Sequence, residues 1–167
     1  MTAEAFGASP PAARPRFSKL LLATDLSEAS AGATDQAFEL AARLEASLLV
    51  VSVIDPGALR RPPAPRAEGL ASGGPLRVDQ VRERREHVAQ ALVERGRQTG
   101  VDVSFLVWDG DPGDTIVEAA TAEAVDMVLV GSHGRGAVGR FFLGSVSEHV
   151  VRHAPCPVLV VRPRPVR

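Results

Sequence analysis

Short unbroken apolar runs alternate along this chain with stretches in which apolar residues recur every three or four positions. Leu20-Leu21-Leu22-Ala23 is the first such run and predicts a strand. Ala33, Ala37, Leu40, Ala41 and Leu44 then mark one face of a helix. The run Leu48 to Ile54 predicts a second strand, and its lack of alternation signals burial on both faces. Val81, Val88, Ala89 and Leu92 predict a second helix, stopped by Gly100. Val101, Val103, Phe105 and Val107 alternate with polar or less buried neighbours, as in a strand near a sheet edge. Asp111-Pro112-Gly113-Asp114 combines an N-cap, a first-position proline and a first-turn acid, and Ile116, Val117, Ala120 and Ala124 continue that helix. Met127 to Val130 is the fourth strand. Ser145-Val146-Ser147-Glu148 has the form of a capping box opening a fourth helix, which Pro155 and Pro157 end before a last strand, Val158 to Val161.

Apolar strands alternating with helices predict an α/β fold: a five-stranded parallel sheet with helices on both faces, Rossmann-like. Residues 1–16 are Ala/Pro-rich and aperiodic, a disordered lead-in by composition, so the domain spans residues 17–167. The Pro-, Gly- and Arg-rich stretch 56–77 reads as a flexible surface loop. Aromatics make up only 4%, so the core must be aliphatic. Nineteen Lys and Arg against twenty Asp and Glu leave a net charge of −1, which excludes binding to nucleic acid through a bulk basic field. Cys156 is the one cysteine, which excludes an internal disulfide and a Cys-cluster zinc site. Apolar runs stay well short of the ~20 residues of a membrane span, and the N-terminus has no signal-peptide pattern, so the expectation is a cytoplasmic protein.

In doubly wound sheets, ligands bind beyond the carboxyl ends of the strands, which directs attention to the loops that follow them. The segment Gly131 to Ser145 follows the fourth strand and is rich in glycine. Its backbone amides can approach an anion closely, and the helix after it adds open N–H donors and a positive dipole end. No Gly-Lys-Ser/Thr follows, so this is not a Walker loop.

The spacing Gly131-x2-Gly134-x9-Gly144-Ser145 resembles the ATP-binding pattern G-x2-G-x9-G-[S/T] of the universal stress protein family. The resemblance runs from Lys19 to about Arg162, leaving out the Pro-rich stretch. Asp25 in Ala23-Thr24-Asp25-Leu26-Ser27 resembles the family's aspartate after the first strand. Val53 resembles its adenine-facing valine, and Pro155 to Val161 its closing strand. The resemblance implies an adenine nucleotide alpha hydrolase-like fold. It implies a nucleotide site built from Ala23, Thr24, Asp25, Val53, Gly131, Ser132, His133, Gly134, Arg135, Gly144, Ser145, Val146 and Ser147. In it, Asp25 lies by the nucleoside, the Val53 main chain meets the adenine edge, and Gly131 packs on the ribose. Gly134, Gly144, Ser145 and Val146 hold the phosphates, with Mg²⁺ bridging their oxygens. One departure is Ala23, where nucleotide-binding members often carry proline.

Simpler roles stand beside these. Ser145 can cap its helix with Glu148, Asp25 or Ser27 can cap the first long helix, and His133 can be a solvated loop residue. Arg135 and Arg140 are phosphate ligands or solvated side chains. His149 and His153, four apart, form a surface pair or part of a metal site; Arg82 to Arg85 with Glu83 and Glu86 read as an exposed mixed-charge face. Cys156 reads as a buried small hydrophobe. If Val158 to Val161 is an edge strand it needs a cover, and the family pairs this strand in a homodimer. The leading function is an ATP-binding regulatory or sensor module of the stress response, with a protein partner the sequence does not identify. No water-activating base stands out, so at most slow hydrolysis is expected. The alternatives are a slow ATPase or phosphoryl-transfer enzyme using Asp25 and His133 around Mg²⁺, and a structural dimer that binds no nucleotide.

Overall fold

The aliphatic runs pair with one another in parallel. The computed structural model describes residues 17–60, 77–132 and 143–162. The lead-in 1–16, most of the 56–77 stretch, and His133, Gly134, Arg135 and Arg140 lie outside the described residues. Five strands, β1 (Lys19–Ala23), β2 (Ser47–Ile54), β3 (Val103–Asp109), β4 (Met127–Gly131) and β5 (Val158–Val161), form one sheet in the order β3-β2-β1-β4-β5. Every pairing is parallel. The helices are α1 (Ala31–Leu44), entered through a 3-10 turn at Glu28–Ser30, then α2 (Pro56–Arg60), α3 (Val78–Thr99), α4 (Pro112–Ala122) and α5 (Ser145–His153).

Successive strand side chains point to opposite faces, so an uninterrupted leucine run must be covered on both. Leu20 and Leu22 of β1, with Leu48 and Val50 of β2, pack against Ala33, Ala37, Phe38 and Ala41 of α1 and Leu92 of α3. Leu21, with Leu49, Val51, Val128 and Val130, packs against Ile116, Ala119 and Ala120 of α4 and Val150 of α5. The small alanines on the helices let them lie close to the sheet. Each fully buried leucine contributes about 1.5–3 kcal/mol. Arg95 of α3 lies over the Phe38 ring at 4.2 Å and pairs with Asp35 at 2.8 Å, joining α3 to α1 on the first face.

The two edges are β3 and β5. The alternation expected of an edge strand is present in β3, where Val103 and Val107 are buried and Ser104 is exposed. From β1 the chain runs to β2 and β3 on one side, then crosses to β4 and β5 on the other. The strand order therefore reverses between β1 and β4, the kind of switch point at which doubly wound sheets open a crevice for ligands.

Several expectations are corrected. The stretch read as a loop from residue 56 opens with α2, because the Asp55 carboxylate accepts from the Gly57 and Ala58 amides at 2.8 and 3.1 Å. Ala124 does not continue α4; it lies beyond the helix with φ 47°, in a turn that starts the approach to β4. Val101 precedes β3 and is buried, its N–H donated to the Gly96 carbonyl at 3.0 Å.

Candidate functional site

The turn leaving β1 is built from short polar side chains. The Thr24 N–H extends the ladder to the Val51 carbonyl at 3.0 Å, and its hydroxyl accepts from the Leu26 N–H at 3.0 Å. That hydroxyl also donates to Ser30 Oγ at 2.9 Å, and Ser30 Oγ donates to the Ser27 carbonyl at 2.7 Å. Asp25 Oδ1 accepts from both the amide and the hydroxyl of Ser27, at 3.1 and 2.6 Å. Between them Leu26 is held at φ 58°, a left-handed conformation that costs a non-glycine residue about 1–2 kcal/mol. The turn is thus over-determined by its hydrogen bonds. Neither Asp25 nor Ser27 caps α1 as sequence allowed: the N-cap is Ser30, with no side-chain cap bond. The Asp25 carboxylate organises the turn instead.

The β4–α5 connection is fastened at both ends. Ser132 is buried, and its N–H is donated to the Val161 carbonyl at 2.8 Å. Its carbonyl accepts from the Gly144 N–H at 3.0 Å. The buried Ser147 hydroxyl donates to the Gly131 carbonyl at 2.6 Å, tying the first turn of α5 to the end of β4. The expected capping box is not formed. Gly144 is the N-cap, Ser145 is the first helical residue, and the Glu148 side chain turns away to Arg152 at 2.6 Å. The first intrahelical bond is the Glu148 N–H to the Gly144 carbonyl at 2.9 Å, so the amides of Ser145, Val146 and Ser147 have no acceptor within the helix. With the dipole of α5 behind them and the Ser145 hydroxyl exposed, these amides make the turn attractive to an anion. The Gly144 amide is already committed to Ser132.

At the end of β2 the structure adds two residues that sequence reading missed. Arg85 of α3 donates from Nη1 to the Val53 carbonyl and to the buried Ser52 Oγ, the latter at 3.1 Å. One turn earlier, Arg82 donates to the Val107 carbonyl at 2.7 Å and pairs with Asp109 at 2.7 Å. The reading of this segment as a solvated mixed-charge face holds only for Glu83 and Arg84, which are exposed. Its other two arginines close over the carboxyl ends of β2 and β3. Arginines three apart on a helix carry no mark of this in sequence.

The remaining candidates take structural parts. The His149 and His153 rings lie 4.3 Å apart, and His149 Nε2 meets Asp114 Oδ1 at 2.9 Å. Among the described residues no three His, Cys, Asp or Glu side chains come together as a metal site. Cys156 is half-buried against the second core cluster, and burial pushes its thiol above the usual range. Asp126, at the opposite end of the sheet, accepts from Ser18 N, Ser18 Oγ and Lys19 N, and those bonds hold its carboxyl below the usual range. No helix among the described residues is long and apolar enough to cross a membrane.

Of the residues expected in the site, Ala23, Thr24, Asp25, Gly131, Ser132 and Gly144 to Ser147 gather at the carboxyl ends of the adjacent strands β1 and β4, and Val53 lies at the end of neighbouring β2. The chain is 41% identical over 91 residues to a universal stress protein of Thermus aquaticus, a match covering 54% of this chain and 66% of that relative, just under two thirds of its length. It is 28% identical over 146 residues to one of Methanocaldococcus jannaschii, covering 87% of this chain and 82% of that one. A solved universal stress protein from Lactobacillus plantarum superposes with a TM-score of 0.68 at 25% identity, over 89% of this chain and 99% of that one. Two further structures share the fold. One is a universal stress protein in complex with cAMP (TM-score 0.64, 23% identity, 89% and 98% covered). The other is a universal stress protein family protein from Arabidopsis thaliana with AMP bound (TM-score 0.56, 21% identity, 89% and 93% covered). The family's sequence model matches residues 16–162, nearly the whole chain and all five strands, and the protein belongs to the universal stress protein family.

Proposed function

We propose that this protein binds an adenine nucleotide, ATP carried with Mg²⁺, at the crevice between β1 and β4, and serves as a nucleotide-dependent regulatory module of the stress response. The observation that carries this reading is the fastened first turn of α5. Ser147 and Gly144 are tied to the end of β4, while the amides of Ser145, Val146 and Ser147 have no acceptor within the helix. Neighbours of the same fold with AMP or cAMP bound favour an adenine nucleotide. In this reading Asp25 faces the nucleoside, Val53 the base, and the α5 turn the phosphates. Mg²⁺ would be carried on the phosphate oxygens of the nucleotide. Occupancy selects one surface for a partner. A second copy pairing along the edge strand β5, where Leu159 is exposed, fits the same role.

The test is mass spectrometry of small molecules released from the purified, denatured protein, with calorimetric titration of ATP. ATP recovered near one per chain, and at least tenfold weaker binding in Asp25→Ala, is the expected result. No released nucleotide, and no heat on titration with ATP and Mg²⁺, would overturn the reading.

A further inference from the structure

Strand β2 outruns its neighbour. β1 pairs with β2 only as far as Ala23 opposite Val51, and the Thr24 N–H then takes the Val51 carbonyl, while β2 continues to Ile54. Alternate carbonyls of a strand point the same way, so the Val53 carbonyl faces the side on which β1 has already turned off. This acceptor receives the Arg85 guanidinium, which also rests on Ser52 Oγ at 3.1 Å. Ser52 is 1% exposed, so the guanidinium is seated against the strand rather than waving in solvent.

We infer that Arg85 relaxes base specificity at the proposed nucleotide site, by competing with a purine 6-amino group for the Val53 carbonyl. This rests on the nucleotide reading above and deepens it. A 6-amino group is a hydrogen-bond donor and needs an acceptor on the pocket wall. A charged donor already holding that acceptor opposes it, both by occupying the oxygen and by donor–donor repulsion. The wild-type pocket therefore gains little from the amino group. Removing the guanidinium frees the carbonyl, and the amino group then gains one net hydrogen bond, about three- to tenfold in affinity.

The experiment displaces a fluorescent ATP analogue with ATP or with purine riboside triphosphate, which differs only in lacking the 6-amino group. Wild type, Arg85→Met, Arg85→Lys and Ser52→Ala are compared. The affinity ratio of the two nucleotides should lie near one in wild type and in Arg85→Lys, which keeps a donor. It should rise about three- to tenfold in Arg85→Met, through tighter ATP binding alone. A smaller rise in the same direction is expected for Ser52→Ala, which removes the guanidinium's buried seat. An unchanged ratio in Arg85→Met overturns the inference while leaving nucleotide binding standing. If Arg85→Met does not fold, the Ser52→Ala ratio decides in the same way. Folded proteins that bind neither nucleotide would remove the function and this inference together.

Discussion

Gly96 and Gly32 both sit in helices, and the same substitution at each should change stability in opposite directions. Gly96 lies on the side of α3 that meets β3. A methyl group there would stand 2.4 Å from Val103 Cγ2 and 2.6 Å from the Val101 carbonyl oxygen. Comfortable carbon contacts lie at about 3.5–4.0 Å, so the helix would have to retreat by about 1 Å. The carbonyl cannot yield, because its residue is anchored through the Val101 N–H to the Gly96 carbonyl. Overpacking of this kind costs about 1–3 kcal/mol, and two contacts including backbone put Gly96→Ala near the upper end. Alanine returns about 1 kcal/mol of helix propensity, which leaves a net loss of about 2 kcal/mol. For a chain of this size that lowers Tm by about 4–8 °C. Gly32, in the first turn of α1, has nothing within 4 Å of the added carbon, and Gly32→Ala should gain about 0.5 kcal/mol. Thermal unfolding followed by circular dichroism reads both. A Gly96→Ala protein as stable as wild type would refute the close-packing argument.

Four further outcomes follow from the geometry. The folded Asp126 carboxyl titrates below its unfolded value near 3.9, so its contribution is present above that pH and is lost as pH falls through the folded value. Asp126→Asn should therefore lower Tm at neutral pH, and the gap from wild type should close below about pH 4; a constant gap contradicts the assignment. Ser147→Ala leaves the Gly131 carbonyl without its buried donor and should cost about 1–3 kcal/mol, read as a lower denaturant midpoint at unchanged slope. Asp111→Ala, at the cap of the core-packed α4, should lose about 1 kcal/mol. Asp55→Ala, capping the five-residue α2 with no buried residue, should leave the global midpoint unmoved.

Those two caps show how much was legible. Asp55-Pro56-Gly57 and Asp111-Pro112-Gly113 make the same bonds, with the carboxylate accepting two amides at 2.8 and 3.1 Å in one case and 2.9 and 3.1 Å in the other. Only the second is followed by a periodic apolar face, so only the second reads as a helix; the first is submerged in the Pro- and Gly-rich stretch behind it. The Ser145–Glu148 pattern misled for a different reason. The capping-box spacing is present, yet Ser132 binds the Gly144 amide and Gly144 is the N-cap, so Ser145 enters the helix as its first residue and leaves the capping position. Leu26 carries no warning at all, since leucine in a left-handed turn is tolerated only because Thr24 and Asp25 bind the amides around it.

Sequence alone determined the parallel sheet, its two covered faces and the edge character of β3, because burial on one or both sides is written in the spacing of apolar residues. It also placed the glycine-rich connection after β4, since a strand end is a local feature. What only the tertiary structure decided is which groups meet across that end of the sheet. Arg82 and Arg85 reach carbonyls 25 and 32 residues away, and that meeting depends on how α3 lies over β2 and β3. Periodicity reports that a residue faces the protein; packing of separate elements alone reports what it touches there.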